Sequence, residues 1–133
     1  MPVKNLFTTK FYREPIGGKD VEELRDDLRD CCYSLAEDDE AGIAWCEENN
    51  YRGYTSYSSL NDLDRRFSPF GELKKRMDKH VAKFAEICHF DLAGRKLVLD
   101  AYWVNILPPL SFHSSHIHPH SVVSGTFYLD LPE

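Results

Sequence analysis

The hydrophobic period of this chain changes near Gly94, and that change points to a fold with helices first and paired strands later. From about Lys19, Val21, Leu24, Leu28, Cys32 and Leu35 recur at steps of three or four, while Glu22, Glu23, Arg25, Asp26, Asp27 and Arg29 fill the opposite face, so the spacing predicts an amphipathic helix. A weaker helical signal runs from Glu40 to Glu48 and ends in the turn-forming stretch Asn49 to Tyr54. Ser68, in the cap position, and Pro69 open the strongest helix, carried by Phe70, Leu73, Met77, Val81, Phe84 and Cys88 and ending near His89. The Tyr- and Ser-rich segment from Tyr51 to Ser59 carries no period and is left unassigned.

Strand signals flank these helices. Asn5 to Arg13 has the aromatic and Thr content of a strand, closed by Gly17-Gly18. Leu97 to Leu107 is a long run of branched and aromatic residues stopped by Pro108-Pro109, which predicts a central strand. Val122 to Leu131 alternates, with Val123, Phe127, Leu129 and Leu131 on one face and Ser124, Thr126, Tyr128 and Asp130 on the other. The expected class is α+β. The 133 residues suffice for one domain with a core and not for two. We divide it into a strand plus helical support region at 1–94 and strands at 95–133.

The net charge of −6 and the scattering of Lys and Arg among acids disfavour a nucleic-acid surface. No apolar run approaches the roughly 20 residues of a membrane span, and the stretch from Met1 to Asn5 lacks the apolar region of a signal peptide, so we expect a cytoplasmic protein without a membrane partner. Cys31, Cys32, Cys46 and Cys88 show no C-x-x-C spacing and fit reduced, structural thiols.

Four of the six histidines, His113, His116, His118 and His120, fall within eight residues between the two later strands. Imidazole is the commonest neutral metal ligand, and residues at i and i+2 on an extended segment point the same way, so His116 and His118 form a candidate divalent-metal pair. His113 fits a supporting or substrate contact better than a ligand, and His120 could reach the metal only if the loop curls back. His80 and His89 lie in helical context without a partner at ligand spacing.

The stretch Trp103-Val104-Asn105, Pro108-Pro109, His113 to Pro119, Ser121 and Ser124 to Leu129 resembles a group of small bacterial and phage-type 2-oxoglutarate-dependent Fe(II) oxygenases that carry H-x-H-P followed by S-G-x-Y-Y. It is also similar to the prolyl-hydroxylase type, in which H-x-D precedes a Y-Y-L strand. The resemblance is strongest over 97–133. It implies a double-stranded β-helix, or jelly-roll, beneath helical support, with Fe(II) and 2-oxoglutarate as cofactors. His116 matches the first iron ligand, and His118 stands where most relatives carry a carboxylate. Tyr128 matches the aromatic that hydrogen-bonds the far carboxylate of 2-oxoglutarate, and Ser124 shares its polar face. Asn105, polar within an apolar strand, is expected near the cosubstrate, whereas core packing accounts for Trp103.

The same resemblance calls for a distal His and a carboxylate-binding Arg or Lys on a later strand, and no His or Arg follows His120. The chain therefore reads as truncated before those residues. Its open strand edges are expected to pair between copies, giving a homo-oligomer or aggregate in place of a stable monomer. The activity implied is hydroxylation of a small-molecule or amino-acid-type substrate that the sequence does not identify. Two other readings stay open: a non-enzymatic module holding Zn(II) or Ni(II) with its histidines, and an inactive truncated product.

Overall fold

The computed structural model describes residues 2–131, so Met1, Pro132 and Glu133, which belong to the signal-peptide and truncation readings, lie outside it. Its elements run α1 (Val21–Asp38), α2 (Glu40–Glu48), β1 (Tyr54–Thr55), α3 (Leu63–Arg66), α4 (Ser68–Ile87) and β2 (Asn105–Ile106). Helices plus a small antiparallel sheet make it α+β, but the expected order of helices first and paired strands after is corrected: β1 lies between α2 and α3 and pairs with β2 beyond α4.

The three expected helices form where the apolar stripes lie. Leu24, Leu28 and Leu35 of α1 are buried against Phe70 and Leu73 of α4, with Leu63 of α3 fully enclosed between them. Pro69 sits in the first turn of α4, where its missing N–H costs nothing. Ser68 is a correction: it is already helical, the cap position belongs to Phe67, and no side chain caps the helix. Asp39 joins α1 to α2 and is itself buried. Its carboxylate caps α2 by accepting from the Gly42 amide at 3.1 Å, and it also accepts from the Tyr54 hydroxyl at 2.8 Å and from Ser59.

The unassigned stretch after α2 becomes the best-locked loop of the molecule. Tyr54 and Thr55 pair antiparallel with Ile106 and Asn105. Ser56 is fully buried, donating its hydroxyl to the Leu60 carbonyl at 2.8 Å and accepting from the Val104 amide at 3.1 Å. Gly53 has φ 121°, and a Cβ there would run into the Ile106 carbonyl, so the close approach of the two strands needs glycine at this point.

The strand expectations need correction. Asn5 to Arg13 forms no strand. Of Leu97 to Leu107 only Asn105–Ile106 is a strand, with one isolated parallel bridge between Tyr102 and Asp62. Val122 to Leu131 is irregular, without ladder partners, and no jelly-roll is assembled among the described residues. The alternation holds in part: Phe127 and Leu129 pack on the core while Tyr128 is exposed, but Leu131, expected on the inward face, is exposed. A β pattern sets which face turns inward, but a strand exists only when a neighbour takes its backbone hydrogen bonds, and no neighbouring strand flanks this segment. No helix of the described residues is long and apolar enough to cross a membrane.

Candidate metal centre

Two proline-led turns bracket the histidine segment. In Pro108-Pro109-Leu110-Ser111 the Ser111 amide donates to the Pro108 carbonyl at 3.1 Å with Leu110 at φ 64°; in His118-Pro119-His120-Ser121 the Ser121 amide donates to the His118 carbonyl at 3.2 Å with His120 at φ 72°. Proline second and a positive φ third is the signature of a type II turn. His120 is thus the third residue of that turn, which accounts for it without a ligand role.

Between the turns His116 and His118 converge, as their i, i+2 spacing predicts, with their Nε2 atoms 3.0 Å apart. Metal–imidazole bonds of about 2.1 Å separate cis donors on an octahedron by about 3.0 Å and donors on a tetrahedron by about 3.4 Å. The observed spacing matches an octahedral edge and equally an imidazole N–H···N hydrogen bond. His116 Nδ1 lies 2.9 Å from the Ser114 carbonyl, so it carries the proton and its Nε2 presents a lone pair toward His118. Without a cation between them, the His118 Nε2–H donates into that lone pair. A divalent cation satisfies both nitrogens at once, so the pair fits two ligands of a ferrous ion.

The other two histidines stand apart. Tyr51, from the loop after α2, shares a hydrogen bond with His113 Nε2 at 2.8 Å and leans against Trp45 of α2. Burial pushes the Tyr51 hydroxyl up to about 12, while burial and the neighbouring His116 hold His113 below the ordinary histidine value. His113 lies 5.9 Å from His116, ring centre to ring centre, with its Nε2 already engaged. Accordingly, no set of three His, Cys, Asp or Glu residues able to hold a metal occurs among the described residues.

The cosubstrate candidates are less gathered. Asn105 accepts from the Thr55 hydroxyl at 2.7 Å across the sheet, which explains a polar residue in that strand by itself. Ser124 and Tyr128 are exposed and hydrogen-bond to no other described residue. The arginines that reach this segment come from α1: Arg29 grips both carboxylate oxygens of Asp130 at 2.9 Å and Arg25 adds a contact at 3.2 Å. Nothing in local sequence signals that link, because it spans about a hundred residues. It holds the Asp130 carboxyl at about 2, chiefly through the Arg29 hydrogen bonds and then those of Arg25.

No curated protein matches the chain. Residues 101–133, the stretch that holds the histidine pair and both turns, match the family model described as Putative 2OG-Fe(II) oxygenase, whose name carries Fe(II) and 2-oxoglutarate as cofactors and agrees with the resemblance drawn from the sequence.

Proposed function

We propose that the chain is an Fe(II)- and 2-oxoglutarate-dependent oxygenase, or part of one, in which His116 and His118 would hold the iron. The observation that carries this reading is the 3.0 Å approach of the two Nε2 atoms, with His116 Nδ1 anchored on a backbone carbonyl, inside the stretch that the family model matches. Bound there, iron and 2-oxoglutarate would supply the oxidative chemistry that hydroxylates a C–H bond. The chain's own part would be to hold the two rings together, with Tyr128 and Ser124 offering hydroxyls for the cosubstrate. Two neutral imidazoles leave the full charge of the cation uncompensated, which favours a dianionic cosubstrate. The closed Zn(II) module is less well supported, since a tetrahedral protein site needs four donors and among the described residues only two converge.

The test is anaerobic addition of Fe(II) followed by 2-oxoglutarate. A visible charge-transfer band should develop only when both are present, and both His116→Ala and His118→Ala should abolish it. Tight Zn(II) binding with no band on adding cosubstrate to the Fe(II) protein would overturn the oxygenase reading.

A further inference from the structure

The two rings of the pair are held in different ways. His116 donates its Nδ1–H to the Ser114 carbonyl, the kind of partner that normally fixes the orientation of a metal-bound histidine. Among the described residues His118 Nδ1 has no such partner. Its ring instead lies against the indole of Trp103, at 5.7 Å between centres and 26° between planes. Trp103 is in turn braced edge-on by Tyr57, at 5.0 Å and 71°. Tyr57 belongs to the loop that Ser56 pins to Val104, so the brace traces back to the buried junction between β1 and β2.

We propose that Trp103 is the positioning residue for His118: it holds the imidazole plane by stacking where a hydrogen bond would otherwise do so, and favours the metal-bound ring over the free one. This rests on the assignment of His118 as a ligand. The physical reason is electrostatic. Coordination to a divalent cation draws charge out of the imidazole, and an electron-rich indole face attracts the resulting positive ring more than the neutral one. A ring confined before the metal arrives also loses less freedom on binding. Trp103 is half-buried and stands outside the core cluster, so the core-packing role that its sequence context suggested gives way to this one.

The test uses Co(II) as the probe, with two independent readouts. In a Trp45→Phe background Trp103 is the only remaining indole of the two in the sequence. Its emission should be quenched in step with the visible Co(II) absorption band, and both signals should vanish in His118→Ala. Trp103→Leu should weaken Co(II) binding about two- to fivefold, the range of an exposed cation–π contact, and Trp103→Phe should recover much of that loss. Far-ultraviolet circular dichroism checks that each variant keeps its helices, and Trp103→Phe carries the test if the leucine variant does not fold. Binding of Co(II) through His118 with unchanged Trp103 emission, or with equal affinity in wild type and the Trp103 variants, would refute the positioning role while leaving the metal pair intact. If wild type binds no Co(II), the pair falls, and the positioning role with it.

Discussion

The helical part of the molecule and the segment that follows α4 have comparable apolar content and opposite fates. In the helices, Leu28, Leu63 and Leu73 are almost wholly enclosed. Beyond them Val98, Leu110, Phe112 and Ile117 are each more than four-fifths exposed. A helix satisfies its backbone internally, so one apolar stripe against another is enough to fix it. A strand depends on a neighbour for its hydrogen bonds and on a second layer for its apolar face, and a strand-like sequence without either stays extended and wet.

The largest expected effect sharpens this contrast directly. Leu63→Ala, at a site with no exposure, should cost about 3 kcal/mol in urea unfolding, since the small α3 element is held by that side chain and cannot collapse around the void. Val98→Ala, at 82% exposure, should change stability by less than about 0.5 kcal/mol. Equal costs at the two sites would mean that the later segment is packed after all.

Next in size is the junction. Asp39→Ala removes the cap of α2 and leaves the Tyr54 and Ser59 hydroxyls without their acceptor, at a cost of about 2 kcal/mol, again by urea unfolding. Asp39→Asn keeps one acceptor oxygen and should recover about half of that. A loss confined to α2, with β1 amides still protected from hydrogen exchange, would show that the carboxylate serves only as a cap and does not tie the sheet to the helices.

What could be read from sequence follows the same division. The apolar stripes gave α1, α2 and α4 nearly to their ends, because the helical period is written locally. The i, i+2 spacing of His116 and His118 put two rings on one side, because an extended backbone alternates whatever its partners. The loop from Tyr51 to Ser59 was opaque because its order comes from Asp39, Ser56 and Val104, none of which leaves a periodic trace. For the same reason the Tyr51 hydrogen bond to His113 and the Trp103 stack on His118 escaped notice: each joins residues on separate loops or strands. The strands at 97–107 and 122–131 were overread, since alternation reports which side chains turn inward and does not supply the neighbour that completes a ladder.

The smallest effect expected concerns how the last segment is tethered. Arg29 and Arg25 hold Asp130 on the surface of α1, and the pairing keeps its carboxyl at about 2, below the usual value of about 4. A carboxyl whose folded value is depressed contributes its full stabilisation above the unfolded value, and that contribution is lost as pH falls from about 4 through about 2. The stability difference between wild type and Asp130→Asn should therefore be level from neutral pH down to about 5 and shrink toward zero below that. All three side chains are partly exposed, so the difference should be small, and added salt should reduce it further. The rate of protease cleavage within 122–131 is the local check. If it is the same in both proteins, then packing of the Phe127 and Leu129 side chains, and not charge, docks the segment, and the later region shares the packing logic of the helices more than its exposed surface suggests.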